Sequence, residues 1–455
     1  MTRFLPPYRM SGFCSISASR FLIHSVAKVF LPNVRDSLKF GYPLFLMRIC
    51  ARYTTAPEGF VRLVIVPMLH HAVSSKKMVQ LWYNKKTKTC ENVRKRYGIN
   101  RMQTADNCIG NKETIDYKGT RRVSVAPMLD WTDRHYRHMA RQITRHTWLY
   151  TEMINAGAVI YGDPDRFLLK NDGENPVALQ LGGSEPQDLA KAAAKAAAYG
   201  YDEINLNCGC PSPRVQKGAF GACLMKEADL VADCLNAMQE AAPDCDVTVK
   251  HRIGLDRETD YQPLADFVGT LAEKTDCTTF IVHARNAWLE GLSPKENRDV
   301  PPLRYDYVYR LKREFPTLEI IINGGIKTND EIVAHLQHVD GVMVGRECYH
   351  NPMLMRDWDR LFYGDDHAPV SYAELAGRLK DYAAAQLAAG RGTILRHMAR
   401  HYLGLMHGLN GARHWRRMLS DAELLKPNDP DLILRAWEQV ERANDFSDGL
   451  PVNKE

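Results

Sequence analysis

Short apolar runs alternate with longer helix-forming stretches from Arg121 to Tyr363. Alanine-rich or amphipathic stretches between the runs, such as Glu185–Tyr199 and Glu227–Ala242, predict crossover helices. Eight strand-then-helix units over about 240 residues are what a closed parallel (β/α)8 TIM barrel requires. A doubly wound open sheet is the alternative fold, but the early glycine fingerprint that such a sheet carries is missing. The eight runs are Val123–Met128, Trp148–Met153, Pro176–Leu181, Asp202–Asn207, Val247–Lys250, Thr279–His283, Leu318–Ile322 and Gly341–Val344.

A helical region is predicted after the barrel. Gly364–Pro369 has the composition of a short polar linker, and Ser371 is placed as a helix N-cap with Glu374 as its capping-box partner. We therefore predict a barrel domain over residues 119–363 and a small all-α domain over residues 366–447. Helices are expected over Leu375–Leu387, Ile394–Met406, Gly411–Leu419 and Asp431–Ala443.

Residues 1–118 differ in character from the rest of the chain. They carry 20 Lys and Arg against 6 Asp and Glu, which leaves 40 against 48 for residues 119–455. No sustained apolar period runs through this basic extension, so we leave it unassigned and expect it to be poorly ordered. The scarcity of acidic residues before Thr55 also resembles a transit peptide, in which case the location would be mitochondrial or another organelle.

The cysteine content and the lack of long apolar runs bear on where the chain works. Eleven cysteines, an odd number without the spacing of a disulfide framework, are typical of a reducing compartment. No apolar run approaches the roughly 20 residues that span a bilayer. We therefore expect a cytoplasmic monomer without membrane contact and without a stable protein partner.

The stretch Asp202–Met225, DEINLNCGCPSPRVQKGAFGACLM, is the strongest candidate for a catalytic loop. It begins as a strand and breaks at Gly209, Cys210 and Pro211, so Cys210 lies where the strand ends. Loops at strand ends commonly carry function, whereas Cys208 still follows the strand pattern and is expected to pack in the core. The C-x-C pair lacks the further ligands of a tetrahedral metal site, and no metal is predicted.

Polar residues also stand at the ends of other predicted strands. The third strand ends in Gln180, the fifth in Lys250–Arg252 and the sixth in His283–Arg285. Because the active site of a barrel is built at the carboxyl ends of its strands, these side chains are expected to converge. Each one alone is equally well explained as a polar residue that caps a strand.

Glycines after the seventh and eighth strands predict a phosphate site. Asn323, Gly324 and Gly325 follow the seventh strand, and Gly345 with Arg346 follows the eighth. Glycine lets backbone N–H groups approach a phosphate, and the loops after strands seven and eight are the usual phosphate site of this barrel.

A phosphate at that position suits flavin mononucleotide (FMN), with the flavin ring over the barrel axis. A cation beside the ring, for which Lys250 is the candidate, would stabilise the charge of the reduced flavin. An acidic proton on the opposite face of the substrate, for which Cys210 is the candidate, would complete the reduction of a polarised C=C bond. The residues therefore indicate a flavin-dependent reductase.

Eight sequence motifs support a family resemblance. They are APMLDWTDRHYR, YTEMINAGA, VALQLGG, NLNCGCPSPRVQKGAFGACLM, VTVKHRIG, HARNAWLEGLSPKENR, INGGI and VGRECYHNP. Together they resemble the tRNA-dihydrouridine synthases, most closely the DusA branch, from about Arg121 to the C-terminus. The resemblance implies FMN-dependent, NADPH-driven reduction of uridine to 5,6-dihydrouridine in the D-loop of tRNA, at positions 20 and 20a.

The same resemblance implies roles for individual residues, with Cys210 as the proton donor. Cys208 departs from the family pattern, which usually has an aliphatic residue two places before the catalytic cysteine. The implied flavin contacts are Pro127, Met128, Leu129, Gln180, Lys250, His283, Asn323, Gly324, Gly325, Gly345 and Arg346. The implied tRNA contacts are Asn207, Lys295, Arg298, Arg413 and Arg416.

Two basic clusters indicate RNA binding without the resemblance. GARHWRRML places Arg413, Arg416 and Arg417 within about one helical turn, and Lys295 and Arg298 lie on a long loop after the sixth strand. A solvated charged surface has the same pattern in sequence. Two alternatives therefore stay open, an FMN barrel reductase of a small enone or dihydroorotate-like substrate, and an RNA-binding protein whose barrel no longer catalyses.

Overall fold

The structure is a computed structural model that describes residues 119–444, 446–447 and 450–451, together with the backbone of residues 50–55 and 61–66. The chain divides into two compact units, Met1–Lys112 and Glu113–Glu455.

The first unit contributes one described element, an antiparallel strand pair. Cys50–Thr55 pairs with Val61–Val66, and Cys50 lies opposite Val66. The sequence did not predict this pair. The disorder and transit-peptide predictions for residues 1–118 otherwise fall outside the described residues.

Eight parallel strands close into a barrel in the second unit, and the last strand pairs with the first. All eight predicted strands are present, so the predicted (β/α)8 barrel is confirmed. The first strand ends at Val125, earlier than predicted, because Pro127 lacks an N–H donor and Met128 O accepts the N–H groups of Trp131 and Thr132 in a turn. The strands are β1 Val123–Val125, β2 Trp148–Asn155, β3 Val177–Gly182, β4 Glu203–Cys208, β5 Asp246–Arg252, β6 Thr279–His283, β7 Glu319–Asn323 and β8 Gly341–Val344.

Helices surround the barrel and continue beyond it. The predicted crossover helices are found within one residue of their expected ends, as Pro186–Ala198 and Ala228–Ala241. None of the helices in the described part of the chain is both long and apolar enough to cross a membrane. The barrel helices are α1 Arg134–Ile143, α2 Ala156–Tyr161, α3 Pro164–Leu168, α4 Pro186–Ala198, α5 Pro213–Lys217, α6 Ala228–Ala241, α7 Gln262–Lys274, α8 Tyr305–Glu314, α9 Asn329–His335, α10 Arg346–His350 and α11 Trp358–Tyr363, with 3-10 turns at Gly221–Lys226, Glu296–Arg298 and Pro352–Asp357.

The expected helical region follows α11. Each predicted helix is present, and a short ribbon of Phe446–Ser447 with Leu450–Pro451 comes last. The division of the second unit into domains at residues 363 and 366 stays a prediction, since Glu113–Glu455 form one compact unit. The helices are α12 Tyr372–Ala388, α13 Leu395–Tyr402, α14 Ala412–Met418, α15 Ala422–Leu425 and α16 Leu432–Glu441.

The predicted capping box at the start of α12 is only half formed. Ser371 Oγ accepts the N–H of Glu374 at 3.2 Å, as expected. The Glu374 carboxylate, however, accepts from Arg378 at 2.6 Å. On this exposed helix surface, the charged partner one turn on competes for the carboxylate with the backbone N–H of Ser371.

The helical region docks where α1 begins, at the end of the barrel where the strands terminate. Asp133 is the N-cap of α1, and its Oδ2 also accepts from Arg400 at 2.7 Å and lies 3.0 Å from His401 Nε2. The backbone at Gly404 approaches α10 so closely that a Cβ would lie 2.6 Å from His350 O. The helical region therefore stands beside the barrel mouth.

Alternation along the strands separates the barrel interior from the core under the helices. On β4, Ile204, Leu206 and Cys208 pack in that core, whereas Glu203 and Asn207 hydrogen-bond across the barrel interior. Successive strand residues point to opposite faces, so this division follows from the sequence period. The predicted core position of Cys208 is confirmed.

One guanidinium joins the amino-terminal ends of several strands. Arg121 donates to Glu203 at 2.6 Å, to Asp246 at 2.7 Å and to Glu319 at 3.2 Å. It also lies 4.2 Å from the ring centroid of Trp148, a favourable cation–π distance. These four partners are the first residues of β4, β5, β7 and β2.

Removing this guanidinium should destabilise the barrel strongly. We expect Arg121→Met to lower the free energy of unfolding by about 3–5 kcal/mol, because Glu203 would be a buried carboxylate without its cation. Urea denaturation followed by circular dichroism measures this loss. As a control, Lys191→Ala breaks an exposed pair with Asp188 and should cost less than about 1 kcal/mol. Similar losses in the two variants would contradict the role given to Arg121.

Candidate active site

Five neighbouring strands each bring one polar side chain to the barrel mouth. They are Gln180 on β3, Asn207 on β4, Lys250 on β5, His283 on β6 and Asn323 on β7. Strand pairing sets Asn207 beside Lys250 and His283 beside Asn323. Asn207 Nδ2 donates to Gln180 Oε1 at 2.9 Å, and Lys250 Nζ donates to Asn323 Oδ1 at 3.1 Å. The structure thus brings together the residues that the sequence placed at strand ends.

The loop that carries Cys210 is tied to this polar layer. Asn207 Oδ1 accepts the backbone N–H groups of Gly209 at 3.1 Å and of Cys210 at 3.0 Å. On the far side of the loop, Ala222 N–H donates to Cys210 O at 3.0 Å. The half-buried thiol therefore sits on a backbone held from both sides.

The environment of Cys210 favours its protonated form. Burial raises the pKa of the Cys210 thiol, and the nearby cations Arg252, Arg298 and Lys250 oppose this rise only in part. A thiol with a raised pKa keeps its proton at neutral pH. Cys210 can therefore deliver a proton, which is the role expected from the sequence.

Positive charge is concentrated around His283. Burial lowers the pKa of the His283 imidazole well below its ordinary value, and Arg252, Lys250, Arg285 and Arg346 lower it further. The imidazole is therefore neutral at neutral pH. A mouth with four cations around one neutral imidazole is electrostatically suited to an anion.

Among these cations, Lys250 shows most clearly how the site destabilises a positive charge. Burial, with a smaller contribution from Arg252, lowers the pKa of the Lys250 ammonium from 10.5 to about 7. Its hydrogen bond within the described residues goes to a neutral amide, that of Asn323. A negatively charged ligand beside Lys250 would restore the charged form.

Arg252 and Arg285 were predicted to stand at strand ends, but no role was predicted for either. Arg252 donates to Gly209 O at 3.1 Å and to Asn297 O at 3.0 Å, which joins the cysteine loop to the loop after β6. Arg285 donates to Asp299 O at 3.2 Å, while its buried Nε has no hydrogen-bond partner within residues 119–444. The sequence signal that could have identified both residues was their position at the end of β5 and just after the end of β6.

The glycines after β7 lie against the site. Gly324 has φ +119°, and a Cβ there would lie 2.7 Å from His283 Cδ2. Gly325 has φ +77°, and a Cβ there would lie 2.7 Å from Leu303 Cδ1. Side chains are therefore excluded at both positions by their neighbours and by the backbone conformation, and the use of this backbone by a phosphate stays a prediction.

The loops after β1 and β8 are neighbours in this site. A Cβ on Gly345 would lie 3.9 Å from Met128 Sδ, which follows Pro127. Arg346 is present at the expected position, but its guanidinium pairs with Asp299 at 2.7 Å and 3.1 Å. A phosphate at Arg346 would therefore share the guanidinium with this carboxylate.

Leu129, which was predicted as a flavin contact, lies at the surface. Its side chain is 68% exposed, so it does not belong to the buried layer at the mouth. The turn that begins at Met128, braced by a 3.0 Å bond from Met128 N–H to Thr132 Oγ1, carries Leu129 outward.

The predicted RNA contacts occupy different surroundings. Lys295 and Arg298 are exposed on the loop after β6, and Arg298 is close enough to Cys210 to affect its pKa. Arg413 and Arg416 are exposed on α14, and no described contact joins them to the mouth. Asn207, by contrast, is buried and engaged with the cysteine loop.

Trp415 beside these arginines does not offer a stacking surface. It is fully buried, and its Nε1 donates to Tyr402 O at 2.8 Å. No group of three or more His, Cys, Asp or Glu side chains within residues 119–444 is placed to hold a metal ion.

Comparison with known proteins shows the family of this chain. Residues 124–441 match the family model of dihydrouridine synthase (Dus). The chain therefore belongs to the dihydrouridine synthase family, which confirms the family predicted from the motifs.

Relatives with closely similar sequences share one activity name. The tRNA-dihydrouridine(20/20a) synthase of Escherichia coli K12 is 52% identical over 325 residues, which cover 71% of this chain and 93% of that protein. The enzymes of the same name from Pseudomonas putida and Vibrio cholerae are 53% identical over 311 and 300 residues, covering 68% and 66% of this chain and 91% and 90% of theirs. A solved morphinone reductase is 14% identical with a TM-score of 0.38, covering 52% of this chain and 86% of its own, which is too weak a likeness to support an inference.

The partly buried ammonium of Lys250 predicts a gain in the free energy of unfolding when it is removed. Its pKa is about 7 in the folded chain against an ordinary 10.5, so between these pH values the unfolded chain binds more protons. Stability therefore rises with pH across this window, and the cost of burial is fully present below pH 7. At pH 6, we expect the free energy of unfolding of flavin-free Lys250→Met to be about 1–3 kcal/mol higher than that of the flavin-free parent.

This gain should shrink by pH 9, where the parent lysine is neutral. Urea denaturation at the two pH values measures it. Lys217→Met, at an exposed position, is the control and should change little at either pH. A gain for Lys250→Met that is the same at pH 6 and pH 9 would contradict the buried-ammonium explanation.

Proposed function

We propose that this protein reduces uridine to 5,6-dihydrouridine at positions 20 and 20a in the D-loop of tRNA, with FMN as cofactor and NADPH as reductant. The observation that carries the proposal is the Cys210 loop, which Asn207 ties to a cation-rich barrel mouth, in a chain of the dihydrouridine synthase family. The proposed monomeric state and cytoplasmic location rest on the sequence alone.

The residues of the mouth fit a flavin mononucleotide. The backbone of Gly324 and Gly325, where side chains are excluded, offers N–H groups to a phosphate, with Arg346 as a nearby cation. Within the part of the chain that the structure describes, the partly buried ammonium of Lys250 donates to the neutral amide of Asn323, and Arg285 Nε has no hydrogen-bond partner. An anionic cofactor would satisfy both groups.

Each residue of the site then has a chemical task. FMN, when bound and reduced, would supply a hydride to one carbon of the uracil C5=C6 bond. The Cys210 thiol gives its proton to the other carbon, so the bond gains one hydride and one proton. Lys250 provides positive charge at the flavin ring, and the neutral imidazole of His283 supplies a hydrogen-bonding group without adding charge.

The tRNA must be held while one base leaves its stack. Lys295 and Arg298 stand on the loop beside Cys210, and Arg413 and Arg416 stand on the helical region that docks next to the mouth. No ion pair within the described residues involves Arg413 or Arg416, so both are available for phosphates. A base that reaches the buried site requires such contacts to the backbone around it.

Absorption spectroscopy of the Cys210→Ala variant tests the reaction. In the parent, NADPH should bleach the flavin bands anaerobically, and unmodified tRNA should restore them. The variant should bind flavin and be bleached normally, but restoration by tRNA should be at least about 100-fold slower, because the proton donor is missing.

Cys223→Ala is the matched control, since Cys223 is a half-exposed thiol on the same segment. It should behave like the parent. Full turnover in Cys210→Ala would refute the proton-donor role. A flavin that tRNA does not reoxidise but a small enone does would favour the metabolic reductase, and a colourless parent that binds tRNA would favour the binding protein.

The double variant Arg413→Ala, Arg416→Ala tests the RNA surface. Its tRNA affinity should fall, and the slope of log K against log salt should become shallower by about 1–2, since each lost phosphate contact removes nearly one counterion. Flavin reduction by NADPH should be unchanged. Filter binding at several salt concentrations measures the slope.

Arg442→Ala provides the control in the same region, because Arg442 is exposed and pairs with Glu438 at 3.4 Å. We expect it to leave the slope unchanged. If the double variant keeps the parent's slope, the RNA surface does not include α14.

A further inference from the structure

A chain of buried hydrogen bonds runs through the barrel interior towards Cys210. Thr248 donates to Glu203 and accepts from Asn205 Nδ2 at 2.8 Å. Asn205 Oδ1 accepts from Gln180 Nε2 at 2.8 Å, and Gln180 Oε1 accepts from Asn207 Nδ2 at 2.9 Å. All five side chains are buried.

The last member of this chain holds the catalytic loop. Asn207 Oδ1 accepts the N–H groups of Gly209 and Cys210 at 3.1 Å and 3.0 Å. An amide turned by 180° would instead present its NH2 group to two N–H donors. The loop is therefore held only when the amide of Asn207 has one orientation.

Glu203 determines that orientation. Its carboxylate accepts from Arg121 at 2.6 Å and from the hydroxyls of Tyr150 and Thr248. Because the Thr248 hydroxyl donates its only hydrogen to Glu203, it can only accept a hydrogen bond from Asn205. The side-chain amides of Asn205, Gln180 and Asn207 then each form all of these hydrogen bonds in only one orientation. In that orientation the NH2 group points towards Glu203 and the oxygen towards Cys210.

We propose that Thr248 and Asn205 are positioning residues for the reaction, because the hydrogen-bond direction that they pass from Glu203 to Asn207 holds the backbone of Cys210 in place. The proposal rests on the proton-donor role of Cys210. Neither residue lies at the mouth, so they act through Gln180 and Asn207. Small displacements of a reacting group lower the rate far more than they lower substrate binding.

The test compares Thr248→Val with Thr248→Ser. Valine has nearly the shape of threonine but lacks the hydroxyl, so both bonds of Thr248 are lost, whereas serine keeps them. We expect Thr248→Val to lower kcat for tRNA reduction about 10- to 100-fold with the KM for tRNA within about twofold of the parent. Flavin content and reduction by NADPH should stay normal, and Thr248→Ser should restore kcat.

Tyr150→Phe is the matched control. Tyr150 also donates to Glu203, at 2.8 Å, but it lies outside the chain that reaches Asn207. The variant loses one buried hydrogen bond at the same carboxylate and should keep kcat. A Tyr150→Phe enzyme as slow as Thr248→Val, or a Thr248→Ser enzyme that is not restored, would overturn the proposal.

Alkylation of Cys210 by iodoacetamide gives a second measurement that needs no tRNA. When the loop is released, the thiol should lose part of its burial, so alkylation at pH 7 should become faster and its pH midpoint should move down. The rate measured in the Cys210→Ala background is subtracted to remove other thiols. Alkylation and kcat both unchanged in Thr248→Val would reject the positioning role.

The two proposals can fail separately. If the parent does not reduce tRNA, the proposed function fails, while the alkylation rates still report whether Thr248 holds the loop. If Thr248→Val does not fold, Thr248→Ala removes the same hydroxyl, and an alkylation rate and midpoint equal to those of Tyr150→Phe would overturn the proposal.

Discussion

The buried ion pair between Arg121 and Glu203 supports both ends of the barrel. At the amino-terminal end, the guanidinium joins the first residues of β4, β5 and β7, which lie far apart in the sequence. Towards the other end, the same Glu203 carboxylate anchors the hydrogen bonds that lead to Asn207 and the cysteine loop. Closure of the barrel and the placement of the Cys210 thiol therefore depend on one carboxylate, which is inaccessible to water.

The barrel mouth, by contrast, lowers the stability of the protein alone, because it holds several cations close together. Burial lowers the pKa of Lys250 to about 7 and that of Arg252 to about 9, because each ammonium or guanidinium is held where water cannot solvate it. Charges arranged in this way repel one another in the protein alone. An anion that entered between them would be attracted by all of them. The repulsion that destabilises the free protein would then be relieved, which would strengthen binding of the anion.

Much of this site was predictable because barrel geometry converts sequence position into spatial position. Every strand ends at the same rim, so the polar residue at the end of each apolar run was expected to reach it, and Gln180, Lys250 and His283 do. The break in the strand pattern at Gly209, Cys210 and Pro211 likewise separated Cys208, which packs in the core, from Cys210 in the loop. Leu129, which the family resemblance implied as a flavin contact, is carried to the surface by the turn after β1, so its role stays a prediction.

The number of strands, their order and the side of each strand that faces the barrel follow from the sequence, because they depend on local periods of two and 3.6 residues. The tertiary structure alone decided which polar groups meet: Arg121 reaches carboxylates 82 to 198 residues away, and the cysteine loop takes its support from Asn207 and Arg252. Burial, hydrogen-bond direction and the resulting pKa of Cys210 were decided in the same way. These properties depend on distances between strands that no local pattern records, so they exist only once the barrel has closed.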